Sequence, residues 1–346
     1  MKKLPVLGIT MGDPSGIGPE IAVKALTHAS IRQECRPVII GDAGVIAQAA
    51  QRIGSKLQLR TLDCVEDAVN QPETLEVYDL KNVALDTLQM GQVSAMAGNA
   101  AFEAVKTAID LALAGRIDAV VTGPINKEAL HLAGHPFPGH TEIFAHFTRT
   151  PDFTMMLAEG NLRVVHVSTH VSLRQACDCV TRERVLKVIG LANQACLQLG
   201  IAHPKVGVAA LNPHASDGGL FGSEEREQII PSIADARAQG IDVEGPVPPD
   251  TFFSKAAGGA YDICVAMYHD QGHIPVKLLG FHYDAAQKTW TSVTGINITL
   301  GLPIIRVSVD HGTAFDQAGK GTASEASLVC AIEYASRLAA SRTNTL

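Results

Sequence analysis

Short apolar runs recur along the chain, each followed by a corner rich in glycine, proline or polar residues and then by a stretch of helical periodicity. VLGIT (6–10) passes through MGDPSGIGPE into IAVKALTHAS, and VIIGDAG (38–44) passes into VIAQAAQRIG. AVVTGP (119–124) leads to INKEALHLAG, LRVVHVSTH (162–170) to RERVLKVIGLANQACLQLG, and VGVAALNPHA (206–215) to SEEREQIIPSIADARAQG. ICVAMYHD (263–270) and IIRVSVDHGTA (304–314) complete the series. Strand, corner and helix in alternation predict an α/β protein with mostly parallel sheets flanked by helices. Residues 65–100 are more polar and are expected to form an antiparallel excursion. Ligands of such folds sit beyond the carboxyl ends of the strands. Those ends here carry GDPSG, TGPINK, STH, LNPH, MYHDQG and VDHGT.

Composition narrows the class. With 346 residues, 46% of them hydrophobic, the chain can bury more than one core, and two domains are expected. A formal charge of −7 argues against nucleic acid as the main partner, because phosphate-backbone binding needs a basic face. No apolar run is long enough to span a membrane, and the start MKKLPVLGITMGDP reads as a first strand and not a signal peptide. Seven cysteines without a CxxC pair, in a chain this long, predict free thiols and a cytoplasmic address.

Three strand ends place a histidine at the same kind of corner: His170, His214 and His269. Strand ends converge when their strands share a sheet, and three imidazoles leaving open positions make a catalytic divalent-metal site. Taken singly, each could be a loop histidine bonded to backbone. GHPFPGHTEIF sets His140 and Thr141 at a helix start, which serves either as an anion site or as a plain cap. GDPSGIGPE is neither a dinucleotide fingerprint nor a phosphate-binding P-loop, and reads better as a close-approach corner. Lys127, Lys277, Asn297 and Arg306 are donors suited to an anionic substrate; Arg306 stands out because it interrupts the apolar run LPIIRVSV. VDHGTAFDQAGKGTAS (309–324) is a polar corner that could fold over a nucleotide or simply turn.

GDPSGIGPE, TGPINK, PGHTE, STHVSLR, LNPHASDGG, PPDTFF, AMYHDQGHIPVK, GINITLGLPIIR and VDHGTAFDQAGKG together resemble the 4-hydroxythreonine-4-phosphate dehydrogenase family, in the family's order over nearly the whole chain. The resemblance implies the two-domain isocitrate and isopropylmalate dehydrogenase-like fold, with its site in the interdomain cleft of a homodimer. It implies a discontinuous cofactor-side domain, 1–126 plus 298–346, and a metal, substrate and dimerisation domain, 127–297. By it, His170, His214 and His269 bind one divalent ion (zinc, magnesium, manganese or cobalt), with the site shared between subunits. His140, Thr141, Lys277, Asn297 and Arg306 bind substrate. Asp310, His311, Gly312, Thr313 and Ala314 correspond to the adenine-side loop for NAD. Lys277 moves a proton, with Asp250 and Asp270 as candidates to assist it.

One departure points within the family. LLGFHYDAAQKTWTSVTGI (278–296), between Lys277 and Asn297, is longer than in the biosynthetic enzymes. It resembles the paralogous 4-phospho-D-threonate or D-erythronate 3-dehydrogenases. The implied reaction is oxidation at C3 followed by decarboxylation to dihydroxyacetone phosphate and CO2; the alternative is the hydroxythreonine phosphate reaction of pyridoxal phosphate biosynthesis.

Overall fold

The computed structural model describes residues 4–286 and 289–343. It divides into two compact units, one of residues up to Pro151 with those from Leu302 onward, the other Asp152–Gly301. In chain order the first unit holds β1 (Val6–Thr10), β2 (Arg36–Gly41), β3 (Gln58–Leu62), β4 (Thr74–Asp79) and β5 (Ala119–Thr122). The second holds β6 (Thr154–Glu159), β7 (Leu162–His166), β8 (Val206–Ala209), β9 (Val243–Val247), β10 (Ile263–Ala266), β11 (Phe281–Asp284), β12 (Thr289–Val293) and β13 (Ile296–Leu300). β14 (Arg306–Val309) returns to the first.

The strands of the first unit run β3-β4-β2-β1-β5-β14, all neighbours parallel. β1, β5 and β14 are buried at every position, as strands covered on both faces must be. The helix Ala95–Leu113 lays Ala97, Ala101, Ala104, Val105 and Ala108 into this core, a stripe at helical spacing, and starts where Ser94 Oγ accepts from Ala97 N.

The structure departs from the expected pattern at residues 65–100 and at both domain boundaries. Residues 65–100 do not make an antiparallel excursion: β4 lies inside the sheet, parallel to both β2 and β3. Its polarity misleads because Glu76 is buried yet satisfied, accepting from Arg60 Nη1 at 2.6 Å and from the backbone of Val69 and Asn70. Residues 127–151, expected with the other domain, belong to the first unit. Leu130, Ile143 and Phe144 fill its core beside Val105 and Ile109. Gly98 has no room for a side chain because the Ala129 backbone lies where its Cβ would be. Residues 298–301 likewise go with the second unit, since Ile298 to Leu300 complete β13 against β6.

The second unit runs β13-β6-β7-β10-β8-β9. β7, β10, β8 and β9 are parallel; β13, β6 and β7 are antiparallel to one another in turn. The 278–296 segment is the end of the helix His269–Gly280 followed by the antiparallel hairpin β11–β12. Residues 287–288 within it lie outside the described residues. The hairpin's base is tied down by Thr294 Oγ1, which donates to Glu159 Oε2 at 2.8 Å. All seven cysteines are free, and among the described residues no helix is long and apolar enough to cross a membrane.

Candidate active site

β7, β10 and β8 are neighbours and parallel, so the corners after them lie at one edge of the second unit. These corners carry His170, His269 and His214. Buried side chains stitch them together. Ser168 Oγ donates to Met267 O at 3.2 Å, joining the first two. Gln271 accepts from Met267 N at 2.6 Å and donates to Ala210 O at 2.7 Å, joining the second to the third. One buried glutamine thus satisfies backbone groups that the ends of two strands leave open.

MYHDQGHIPVK does not form a loop. The chain turns at Met267 and Tyr268, and a helix runs from His269 to Gly280. His269, His273 and Lys277 follow at intervals of four along it. The ring of His269 stacks on that of His273 with centroids 3.6 Å apart and planes 12° from parallel. His273 Nδ1 donates to the His269 carbonyl at 3.0 Å, and its ring lies 4.6 Å from that of His166. His170 completes the row, its ring 5.9 Å from His269. His166 is fully buried at the end of β7 and packs against Gly272, where a Cβ would collide with its Nε2. Burial, reinforced by the neighbouring imidazoles, pushes His166 down to about 3 and His273 down to about 4.

His269 Nδ1 donates to Asp270 at 2.7 Å, which fixes the tautomer and leaves Nε2 as the open nitrogen. That nitrogen is of the kind that binds a divalent ion, and the ring of His170, 5.9 Å away, is the nearest candidate to share one. His214 has its Nδ1 3.5 Å from Asp217, and both side chains are exposed. Among the described residues no three His, Cys, Asp or Glu side chains form a group that could hold an ion. The His214 corner is nonetheless unusual. His214, Ala215, Ser216 and Asp217 all have positive φ, between 44° and 72°. Each such non-glycine residue costs roughly 1 kcal/mol or more. Ser216 Oγ bonded to Gly222 O at 2.6 Å, and Glu225 accepting from the backbone of Leu211 and Asn212, hold the corner in place.

The first unit holds a cluster of buried polar groups. His140 opens the helix His140–Thr148, which has no side-chain cap. Its Nε2 is buried and has no hydrogen-bonding partner among the described residues. Arg306, buried at the start of β14, donates to Thr122 Oγ1 at 3.1 Å and lies over the Phe144 ring at 5.6 Å. Burial brings the Arg306 guanidinium down to about 9, opposed by Glu142. Burial and the Arg306 charge together hold His140 well below the usual histidine range. Thr141 follows in the first turn. A buried cation, an open imidazole nitrogen and free helix N–H groups make a site for an anion.

The proposed cofactor corner follows β14 in the same unit. His311 Nδ1 donates to Gly312 O at 3.0 Å, Ala314 takes a left-handed φ of 42°, and Thr313 O accepts from Ile17 N at 3.1 Å. That last bond seats DHGTA against GDPSGIG. Asp13 and Ser15 in this corner are buried; Asp13 Oδ2 and Ser15 Oγ have no partner among the described residues. The corner is thus more polar inside than a tight turn requires.

Other expected residues scatter. Lys277 lies on the helix, not in a corner, with Nζ 5.0 Å from the Phe281 ring centroid. Asn297 sits on β13 opposite Leu157. Asp250 is exposed in the first turn of the helix Pro249–Ala257, and Asp270 is committed to His269. Lys127 is a solvated charge at a helix start. No local pattern marks His166, Glu225 or Asp13 as site residues, and only the HDQG stretch points to Gln271.

A family model described as pyridoxal phosphate biosynthetic protein PdxA matches residues 33–335. A D-threonate 4-phosphate dehydrogenase of Cupriavidus necator is 49% identical over 340 residues, 98% of each chain. One from Salmonella typhimurium is 47% identical over 334 residues, 96% of this chain and 98% of that one. The solved structure of a 4-hydroxythreonine-4-phosphate dehydrogenase from Klebsiella pneumoniae superposes with a TM-score of 0.86 at 44% identity, covering 98% of this chain and 99% of that one.

Proposed function

We propose that this chain, which belongs to the PdxA family, is an NAD-dependent and divalent-metal-dependent dehydrogenase of 4-phospho-D-threonate or its D-erythronate epimer, releasing CO2 and dihydroxyacetone phosphate. The observation that carries an acidic, phosphorylated substrate is the buried Arg306 beside the open, buried Nε2 of His140. The curated relatives' names favour the threonate.

Oxidation removes the C3 hydrogen as hydride and the C3 hydroxyl proton to a base. The product is a ketone β to the carboxylate. Loss of CO2 leaves its electron pair toward C2, which then takes up a proton. When bound, NAD would supply the hydride acceptor and a divalent ion would supply Lewis acidity for the oxidation and the decarboxylation. Lys277 holds and returns the proton. Asp270 orients His269, and Asp250, exposed at its helix start, is the weaker candidate to assist. His140, Thr141 and Arg306 bind phosphate or carboxylate, with Asn297 as a further donor. Asp310, His311, Gly312, Thr313 and Ala314 hold the adenine side of NAD.

His170 and His269 would hold the ion, and His214 from a second copy would complete it, which makes the working form a homodimer. Support for a second copy comes from Ile274 and Leu278, one helical turn apart and 62% and 76% exposed on the helix that carries His269. The test is NADH formation with added metal on 4-phospho-D-threonate, 4-phospho-D-erythronate and 4-phosphohydroxy-L-threonine in parallel. Preference for a hydroxy acid is expected. Preference for the amino acid would assign the 4-hydroxythreonine-4-phosphate dehydrogenase activity for which the solved relative from Klebsiella pneumoniae is named, and no NADH from any of them would overturn the proposal.

A further inference from the structure

The ring row on β7 and the helix His269–Gly280 contains two histidines that the proposed chemistry does not use. His273 is nearly buried, stacks face to face on His269 at 3.6 Å and bonds the His269 carbonyl at 3.0 Å. Behind it stands His166, fully buried at 4.6 Å, in a space that Gly272 leaves open. A helix-start side chain ordinarily has several rotamers and frays with the first turn. His269 instead has its ring edge held by Asp270 and its ring face held by His273. His273 in turn packs against the ring of His166 at 4.6 Å.

We infer that His273 is a positioning residue that, backed by His166, fixes the imidazole plane of His269 for metal binding. This rests on the proposed metal role of His269. A ring clamped on edge and face binds without losing rotamer freedom, so its loss should appear as weaker metal affinity in a protein that still folds.

The experiment is titration of the metal-free full chain with cobalt(II), followed by its visible absorption and by calorimetry. The set is wild type, H269A, H273L, which removes both ring and bond, and H273N, which keeps an amide donor near the Nδ1 position. Wild type should bind, and H269A should lose binding. H273L should bind about 10- to 100-fold more weakly with a changed cobalt spectrum, and H273N should fall between. Wild-type affinity and spectrum in H273L, with H269A impaired, would overturn the inference and leave the metal reading standing. If H273L does not fold, an unchanged H273N would overturn it equally. Failure of wild type to bind, or binding by H269A equal to wild type, would overturn the metal reading and the inference with it.

Discussion

Asp13 shows how much one residue can carry. It is fully buried, and burial raises its carboxyl to about 6 against the single opposing bond from Ser15 N. The folded value lies above the ordinary 3.8, so folding favours the protonated form. The cost of the charge is absent well below 3.8, grows as pH rises through the interval to about 6 and is constant above it. Asp13→Asn, which keeps an acceptor for Ser15 N, is expected to stabilise the protein at about pH 8 by up to roughly 3 kcal/mol and to do almost nothing near about pH 3. Denaturant melts at the two pH values check this; equal effects at both would refute it. Little of this was legible beforehand. GDPSG announces a close-approach corner, but a carboxylate in a turn looks the same whether it faces water or core. His170 and His269 were legible for the opposite reason, since each ends an apolar run where a turn needs no imidazole. His166 and His273 gave no such sign, one lying within its apolar run and the other appearing to sit in a loop.

At the scale of elements, the helix His269–Gly280 decides the geometry. It lies close enough to β7 that only a glycine fits at 272, with Val164 Cγ1 at 2.7 Å from where a Cβ would stand and His166 nearer still. Gly272→Ala is expected to destabilise by roughly 1–3 kcal/mol through forced displacement of the helix. Adding His166→Ala should recover part of the loss, so a double-mutant cycle measured by thermal unfolding should show coupling. Strict additivity would mean that the helix does not rest on His166. The parallel strands β8 and β10 are legible because a strand buried on both faces leaves an unbroken apolar run, VGVA and ICVA, while β7 breaks its run at the half-buried Arg163. β4 was misread because its buried Glu76 is satisfied by Arg60, a partner from the neighbouring strand that no local pattern discloses. The helix at 269 was misread as a corner because Gly272 and Pro275 are ordinarily turn residues.

At the scale of the molecule, acid stability follows from the buried His166. Burial lowers it from 6.5 to about 3, so the unfolded chain takes up a proton before the folded one does. Its contribution is present above about 6.5 and is lost as pH falls toward about 3, on the order of a few kcal/mol in all. His166→Gln should flatten the fall of the urea midpoint over that range; an unchanged slope would assign acid lability elsewhere. The division into two units has a consequence for how the protein is made. The second unit is one continuous stretch, whereas the first surrenders the chain at Pro151 and takes it back at Leu302. During synthesis β5 must therefore wait, its free edge open, until β14 emerges some 180 residues later to cover it. The interior segment can be fully folded by then, so the last part translated closes the first part made, and a nascent chain stalled before residue 306 would present β5 as an unprotected edge.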